Sequence, residues 1–95
     1  VRLEQFFPFP KKTLKSAIEM YGKAEIVWCQ EEPENMGGWQ FVDRRIEHVL
    51  GCMGSDMATV RPLYVGRKPA ASPATGLAKT HAAEQAALVK EALGV

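Results

Sequence analysis

The chain has 95 residues, 46% of them hydrophobic and 24% charged, with a formal net charge of +1; that is enough for one domain with a modest core. A near-neutral balance gives no electrostatic reason to expect nucleic acid or an anionic membrane as a partner. No uninterrupted apolar run approaches the roughly 20 residues needed to cross a bilayer.

Residues 1–4 (VRLE) read as a short strand, without an initiator Met and without the basic and apolar regions of a signal peptide, as expected of a fragment of a longer intracellular protein. The aromatic-proline segment FFPFP closes that strand, because proline cannot continue a central strand or a helix. Over 11–21, Leu14, Ala17, Ile18 and Tyr21 recur at helical spacing, and Gly22 suits the position after a helix. Residues 25–31 hold the run Ile26, Val27, Trp28, Cys29, which predicts a strand covered on both faces and so a parallel sheet. A second helix is expected over 39–50 with Val42, Ile46, Val49 and Leu50 inward, followed by a glycine-bearing turn over 51–56. Residues 60–66 predict a third strand. In the loop after it, Ser72 before Pro73 fits an N-cap with proline at the first helical position. The last helix would start there or near Leu77 and run to Leu93, burying Ala82, Ala86, Val89 and Leu93. This alternation predicts an α/β fold with a mostly parallel sheet and helices on its faces.

Two segments are candidates for chemistry. Glu31, Glu32 and Glu34 precede Gly37, Gly38 and Trp39 at a strand-to-helix junction, the place where open α/β sheets usually bind ligands. Paired carboxylates can serve as general acid and base, but no histidine, lysine or nucleophile stands near to complete a catalytic set. A structural role is therefore expected: one of the acids accepts backbone N–H groups near the glycine pair at the helix start, and the glycines permit a turn that presents Trp39. The second segment holds Arg67, Lys68 and Ser72 between a strand end and a helix start, where two cations and a hydroxyl could bind a phosphate. A solvated basic loop with a serine cap is the plain alternative. Cys29 and Cys52 lie outside CxxC and zinc spacings and read as free thiols, Cys29 buried and inert. His48 and His81 lack neighbours at metal-ligand spacing and are read as surface or locally hydrogen-bonded residues.

Read in order, VRLEQFFPFP, VWCQEEPENMGGW, YVGRKPAASPATG and THAAEQ span essentially the whole chain. Together they resemble the carboxyl-terminal segment of the thiamine-diphosphate-dependent first component of 2-oxoglutarate dehydrogenase; GRKPAASPATG departs slightly from the shorter GRPASASPATG-like form. The resemblance implies a Rossmann-like, three-layer domain of the transketolase carboxyl-terminal type, spanning 1–95 and lacking part of its sheet on the N-terminal side. It implies a parent homodimer that decarboxylates 2-oxoglutarate with thiamine diphosphate and magnesium and passes the succinyl group to the lipoyl domains of a succinyltransferase core. That chemistry belongs to the upstream catalytic domains, so this segment is expected to bind no cofactor or metal and to be inactive alone. A structural, dimer-supporting role is implied, with Arg67, Lys68 and Ser72 as candidates for an AMP or acetyl-coenzyme A effector site. The compartment implied is a bacterial cytoplasm or a mitochondrial matrix. A stand-alone adenine-nucleotide-binding module is the rival reading. An open sheet edge predicts that the segment alone self-associates or is marginally stable.

Overall fold

The computed structural model describes residues 1–22, 24–54, 60–74 and 76–94. In chain order its elements are α1 (Lys11–Glu19), β1 (Val27–Pro33), α2 (Trp39–Gly51), β2 (Leu63–Arg67) and α3 (Ala78–Leu93). The chain is α/β, with a two-stranded parallel sheet and three helices. It divides into two compact units, one formed by residues 1–26 and 41–62 and the other by residues 27–40 and 63–95.

The first unit holds α1 and all but the first two residues of α2. Its buried apolar side chains are Ile18 on α1 and Val42, Ile46, Val49 and Leu50 on α2. On α2 these are the positions expected from the helical period, and they form one stripe because positions three and four apart share a helix face. Arg61 bridges Asp43 and Glu47 from outside that stripe. The Arg45 guanidinium lies 3.7 Å from the centre of the Phe41 ring, and the Phe6 ring is 5.3 Å from that of Phe41. Residues 1–4 form no strand. Four residues followed at once by FFPFP have no paired partner among the described residues, and a strand exists only through such pairing. Phe6 and Phe7 are exposed, and the half-buried part of the aromatic-proline segment is Phe9 and Pro10.

The second unit holds the sheet and α3, which packs across both strands. Val27 pairs with Leu63, Trp28 with Tyr64, Cys29 with Val65 and Pro33 with Arg67. Four steps along β1 from Cys29 to Pro33 therefore match two steps along β2 from Val65 to Arg67. The surplus forms a bulge at Gln30, Glu31 and Glu32 and turns Gln30 inward, a common device beside functional sites. Both strands begin later than the apolar runs suggest: residues 25 and 26 precede β1, and Pro62, with no N–H to give a ladder, precedes β2. Cys29 is exposed rather than buried, since α3 covers a sheet of only two strands. The last part of the turn expected over 51–56 lies outside the described residues.

α3 departs most from expectation. It starts at Ala78 with Leu77 at the N-cap and no side-chain cap bond; the Ser72 hydroxyl instead reaches the Ala74 carbonyl at 3.4 Å within the loop. Leu88 is its buried residue, with His81, Glu84, Gln85 and Ala92 half-buried beside it. Ala82, Ala86, Val89 and Leu93, expected inside, face solvent. The sheet takes the face around Leu88, which also carries the polar His81, Glu84 and Gln85, rather than the alanine-bearing face expected inside.

Candidate functional site

The strand-to-helix junction is organised by a residue that the sequence motif does not advertise. Gln30 is 7% exposed. Its Oε1 accepts from Trp28 Nε1 at 2.8 Å and from the Trp39 backbone N–H at 3.0 Å. Its Nε2 donates to the carbonyls of Met36 at 2.7 Å, Pro33 at 3.0 Å and Glu32 at 3.3 Å. One amide thus ties the strand end, the turn and the first N–H of α2, a backbone group with no partner inside its own helix. The expected anchor was a carboxylate of Glu31 or Glu32; both residues are exposed. The physical reason is burial: a neutral amide can both donate and accept in a dry site, whereas a carboxylate only accepts and loses its hydration. Glu31 and Glu32 serve through their carbonyls. Glu31 O accepts from Arg67 Nε at 2.9 Å, and Glu32 O lies 3.2 Å from the Tyr64 hydroxyl.

Gly37 turns the chain with φ +67°, and the Glu32 carboxylate lies where its side chain would begin. Gly38 is buried and Trp39 half-buried, its ring 5.5 Å from Tyr64. The Tyr64 hydroxyl reaches the Arg67 carbonyl at 2.8 Å, and Gly66 sits beneath the phenol. A Cβ at Gly66 would overlap Tyr64 Oη and come within 3.0 Å of the Gln30 carbonyl, so the two strands meet here only because this residue has no side chain. Partial burial, and then the Glu34 carboxylate, hold the Tyr64 phenol above the ordinary tyrosine range. Nothing in the Tyr64 or Gly66 sequence context marks them; only strand register brings them to Gln30.

Beside this knot, Arg67, Lys68, Pro69, Ala70, Ser72 and Ala74 line a cleft of about 420 Å³ whose other wall is α3, with Glu84, Leu88 and Glu91. All three residues expected to favour an anion therefore border one cavity. Their states differ. The Arg67 side chain is 10% exposed and its three nitrogens are engaged: Nε with Glu31 O, one terminal nitrogen with the Glu84 carboxylate at 3.5 Å, the other with the Pro73 carbonyl. A planar guanidinium is suited to such a fork. Asn35 clamps the same loop, donating to the Ala70 carbonyl at 3.0 Å and accepting from the Ala70 N–H at 3.1 Å. Lys68 and Ser72 are exposed. The cleft is thus lined by charges of both signs, with Arg67 as its structural base and Lys68 and Ser72 on its open side.

The remaining singled-out groups stand apart. Burial, and then the Glu91 carboxylate, raise the Cys29 thiol above its ordinary range. In the first unit Cys52 Sγ and His48 Nε2 are 3.9 Å apart, facing Lys11, Lys12 and Lys15 across a small pocket. His81 is half-buried rather than a surface residue, and its Nδ1, like Gln85 Oε1, is buried with no hydrogen-bond partner. Among the described residues no three metal-ligating side chains converge, and no helix is long and apolar enough to cross a membrane.

Comparison with known proteins covers the whole of this arrangement. The family model for the 2-oxoglutarate dehydrogenase C-terminal region matches residues 1–93. The 2-oxoglutarate dehydrogenase E1 components of Brucella anthropi and Brucella ovis are each 49% identical to this chain over 94 residues, 99% of it. The same match holds for Brucella canis. The chain spans 9% of the length of these relatives. A match over nearly every residue, through both the Gln30 junction and the Arg67 cleft, places the chain in the 2-oxoglutarate dehydrogenase C-terminal family.

Proposed function

We propose that these residues are a non-catalytic carboxyl-terminal domain of a thiamine-diphosphate-dependent 2-oxoglutarate dehydrogenase, supporting its homodimer and carrying an effector cleft. The observation behind this reading is the 49% identity over 99% of the chain to a tenth of a much longer enzyme component. The parent would decarboxylate 2-oxoglutarate and hand the succinyl group to the succinyltransferase core, with its catalytic groups in the upstream domains. Thiamine diphosphate and magnesium would supply the electron sink and the diphosphate clamp there. The described side chains offer no converging set of metal donors, so none of them is assigned to that cofactor. Residues 1–95 would act as a single domain, its short sheet completed into a Rossmann-like, three-layer unit by upstream strands. The Brucella relatives favour a bacterial cytoplasm.

The cleft between the loop after β2 and α3 is the place in this segment suited to AMP or acetyl-coenzyme A. Lys68 and Ser72 would meet the phosphate, while Arg67, already committed to Glu31, Glu84 and Pro73, shapes the floor. Calorimetry of AMP and acetyl-coenzyme A on the full-length enzyme tests this. Lys68→Ala should weaken binding about tenfold, the ~1.4 kcal/mol of one charge-assisted contact, with an unchanged melting temperature. Wild-type affinity in both Lys68→Ala and Ser72→Ala would remove the effector role and leave the membership untouched.

A further inference from the structure

We infer that Cys52 is a thiol-modification site that takes up a small carboxylate-bearing thiol as a mixed disulfide, with His48 receiving the proton and Lys11, Lys12 and Lys15 recognising the acid. The site belongs to the first unit, so it stands whether or not the cleft of the second unit binds an effector. Cys52 directly follows α2, and its backbone N–H donates to the carbonyls of His48 at 3.2 Å and Val49 at 3.1 Å. That closing turn holds Cys52 one helical turn beyond His48, where positions four apart share a face. Sγ and Nε2 lie 3.9 Å apart, and both residues are exposed. A thiol beside an imidazole is the arrangement of an activated nucleophile, and such contacts are often looser before a reactant arrives.

Charge decides what this pair meets. Soft metal ions also favour thiolate and imidazole, but among the described residues no third metal-ligating side chain joins them, and the surroundings are cationic. Lys11, Lys12 and Lys15 of α1 wall a cavity of about 160 Å³ that His48, Val49 and Cys52 close from the α2 side. Arg44 borders an open groove that shares His48 and Cys52. The nearby carboxylates are engaged: Glu47 with Arg61, and Glu19 with Lys15 at 3.9 Å. Among the described residues Lys11 and Lys12 form no ion pair. The carbonyl end of α2 adds on the order of half an elementary negative charge, less than these two lysines supply. Size then decides the mode of binding. Whole small-molecule sites measure roughly 300–1,000 Å³, so this cavity suits a short acidic group tethered through sulfur better than a free ligand. In the reaction the Cys52 thiol passes its proton to His48 Nε2 as its sulfur attacks one sulfur of a low-mass acidic disulfide, which is the oxidant. The new bond joins Cys52 Sγ to that sulfur, the reagent's own S–S bond breaks, and the departing thiolate takes the proton from His48.

The test incubates the full-length enzyme with oxidised glutathione, whose halves are acidic, or with cystamine, whose halves are cationic, and follows the Cys52 adduct by peptide mass spectrometry. Each rate is divided by that of a short cysteine peptide, which removes the intrinsic difference between the reagents. The expected result is a preference for glutathione of about tenfold or more at low ionic strength, shrinking several-fold at about 0.5 M salt because exposed charges are screened. Replacing both lysines, Lys11→Gln with Lys12→Gln, should bring the preference to within about threefold of the peptide. His48→Gln should slow both reagents about tenfold and leave the preference unchanged. Absence of the adduct, a preference for cystamine or for neither, or a preference indifferent to salt and to the lysine substitutions would each overturn the proposal. A Cys52 that glutathione leaves free and that micromolar zinc protects from alkylation would assign the pair to a metal instead.

Discussion

Replacing Gln30 with leucine keeps the side-chain volume close and removes all of its hydrogen bonds. Trp28 Nε1, the Trp39 N–H and the Met36 carbonyl lose their partner, while Glu32 O keeps Tyr64 and Pro33 O keeps the Met36 N–H. An unmet buried polar group costs about 1–3 kcal/mol. Trp28, Met36 and Trp39 are half-buried and can recruit water, so each bears only part of that cost. Hydration and the added apolar burial recover much of the sum, leaving a loss of about 1–3 kcal/mol. At a urea dependence of about 1–1.5 kcal/mol/M for a chain of this size, the midpoint should fall by about 1–2 M. Tryptophan fluorescence reads it directly, since both tryptophans bond to Gln30. Gln30→Glu adds a control with a sign. Its carboxylate would face the carbonyls of Pro33 and Met36, so its folded-state pKa would lie above the unfolded value. The stability of this variant is then best below the unfolded glutamate pKa and is lost as pH rises through the folded one. A Gln30→Leu stability within about 0.5 kcal/mol of wild type, or a Gln30→Glu variant indifferent to pH, would refute the account of Gln30 as the tie.

Other consequences can be checked in the same protein. Gly66→Ala should destabilise by about 1–3 kcal/mol through overpacking, and pairing it with Tyr64→Phe should recover part of that, because the added methyl meets the phenol first; a neutral Gly66→Ala would contradict the close approach. Tyr64 favours its neutral form when folded, so its contribution is intact below the unfolded tyrosine value near 10 and is lost as pH rises above it. Tyr64→Phe should flatten the alkaline decline in stability measured by urea melts from pH 9 to 11, and an unchanged decline would count against it. Cys29, exposed but with a raised thiol pKa, should alkylate with iodoacetamide without unfolding yet more slowly than a short cysteine peptide at pH 8, the gap closing as pH rises. Protection equal to that of a core thiol, read by peptide mass spectrometry, would argue against its exposure.

Family membership was legible in the linear order of four blocks, and so were the three helices and two of the strands, because amphipathic period and apolar runs are local properties. The α2 core stripe was read correctly for the same reason: Val42, Ile46, Val49 and Leu50 lie on one face in any helix. The junction and the cleft were located, but not their working parts. Sequence reading favoured Glu31 and Glu32 because charge is conspicuous; the bulge between Cys29 and Pro33 sends Gln30 inward, and register is not encoded in any single strand. Likewise Ser72 followed by Pro73 has the composition of a helix start, yet its loop is held by Arg67 and Asn35 and the helix waits until Ala78.

The amino-acid sequence by itself determined the types of the five elements that form and the family, because periodicity and block order survive without knowledge of distant neighbours, while the strand expected over residues 1–4 does not form. Tertiary structure alone decided which face of α3 is covered, that Arg67 is engaged at all three nitrogens, and that a neutral amide rather than a carboxylate holds the turn. Each of those outcomes depends on burial and on partners up to 36 residues away, and desolvation, which selects among chemically plausible side chains, exists only once the chain has folded.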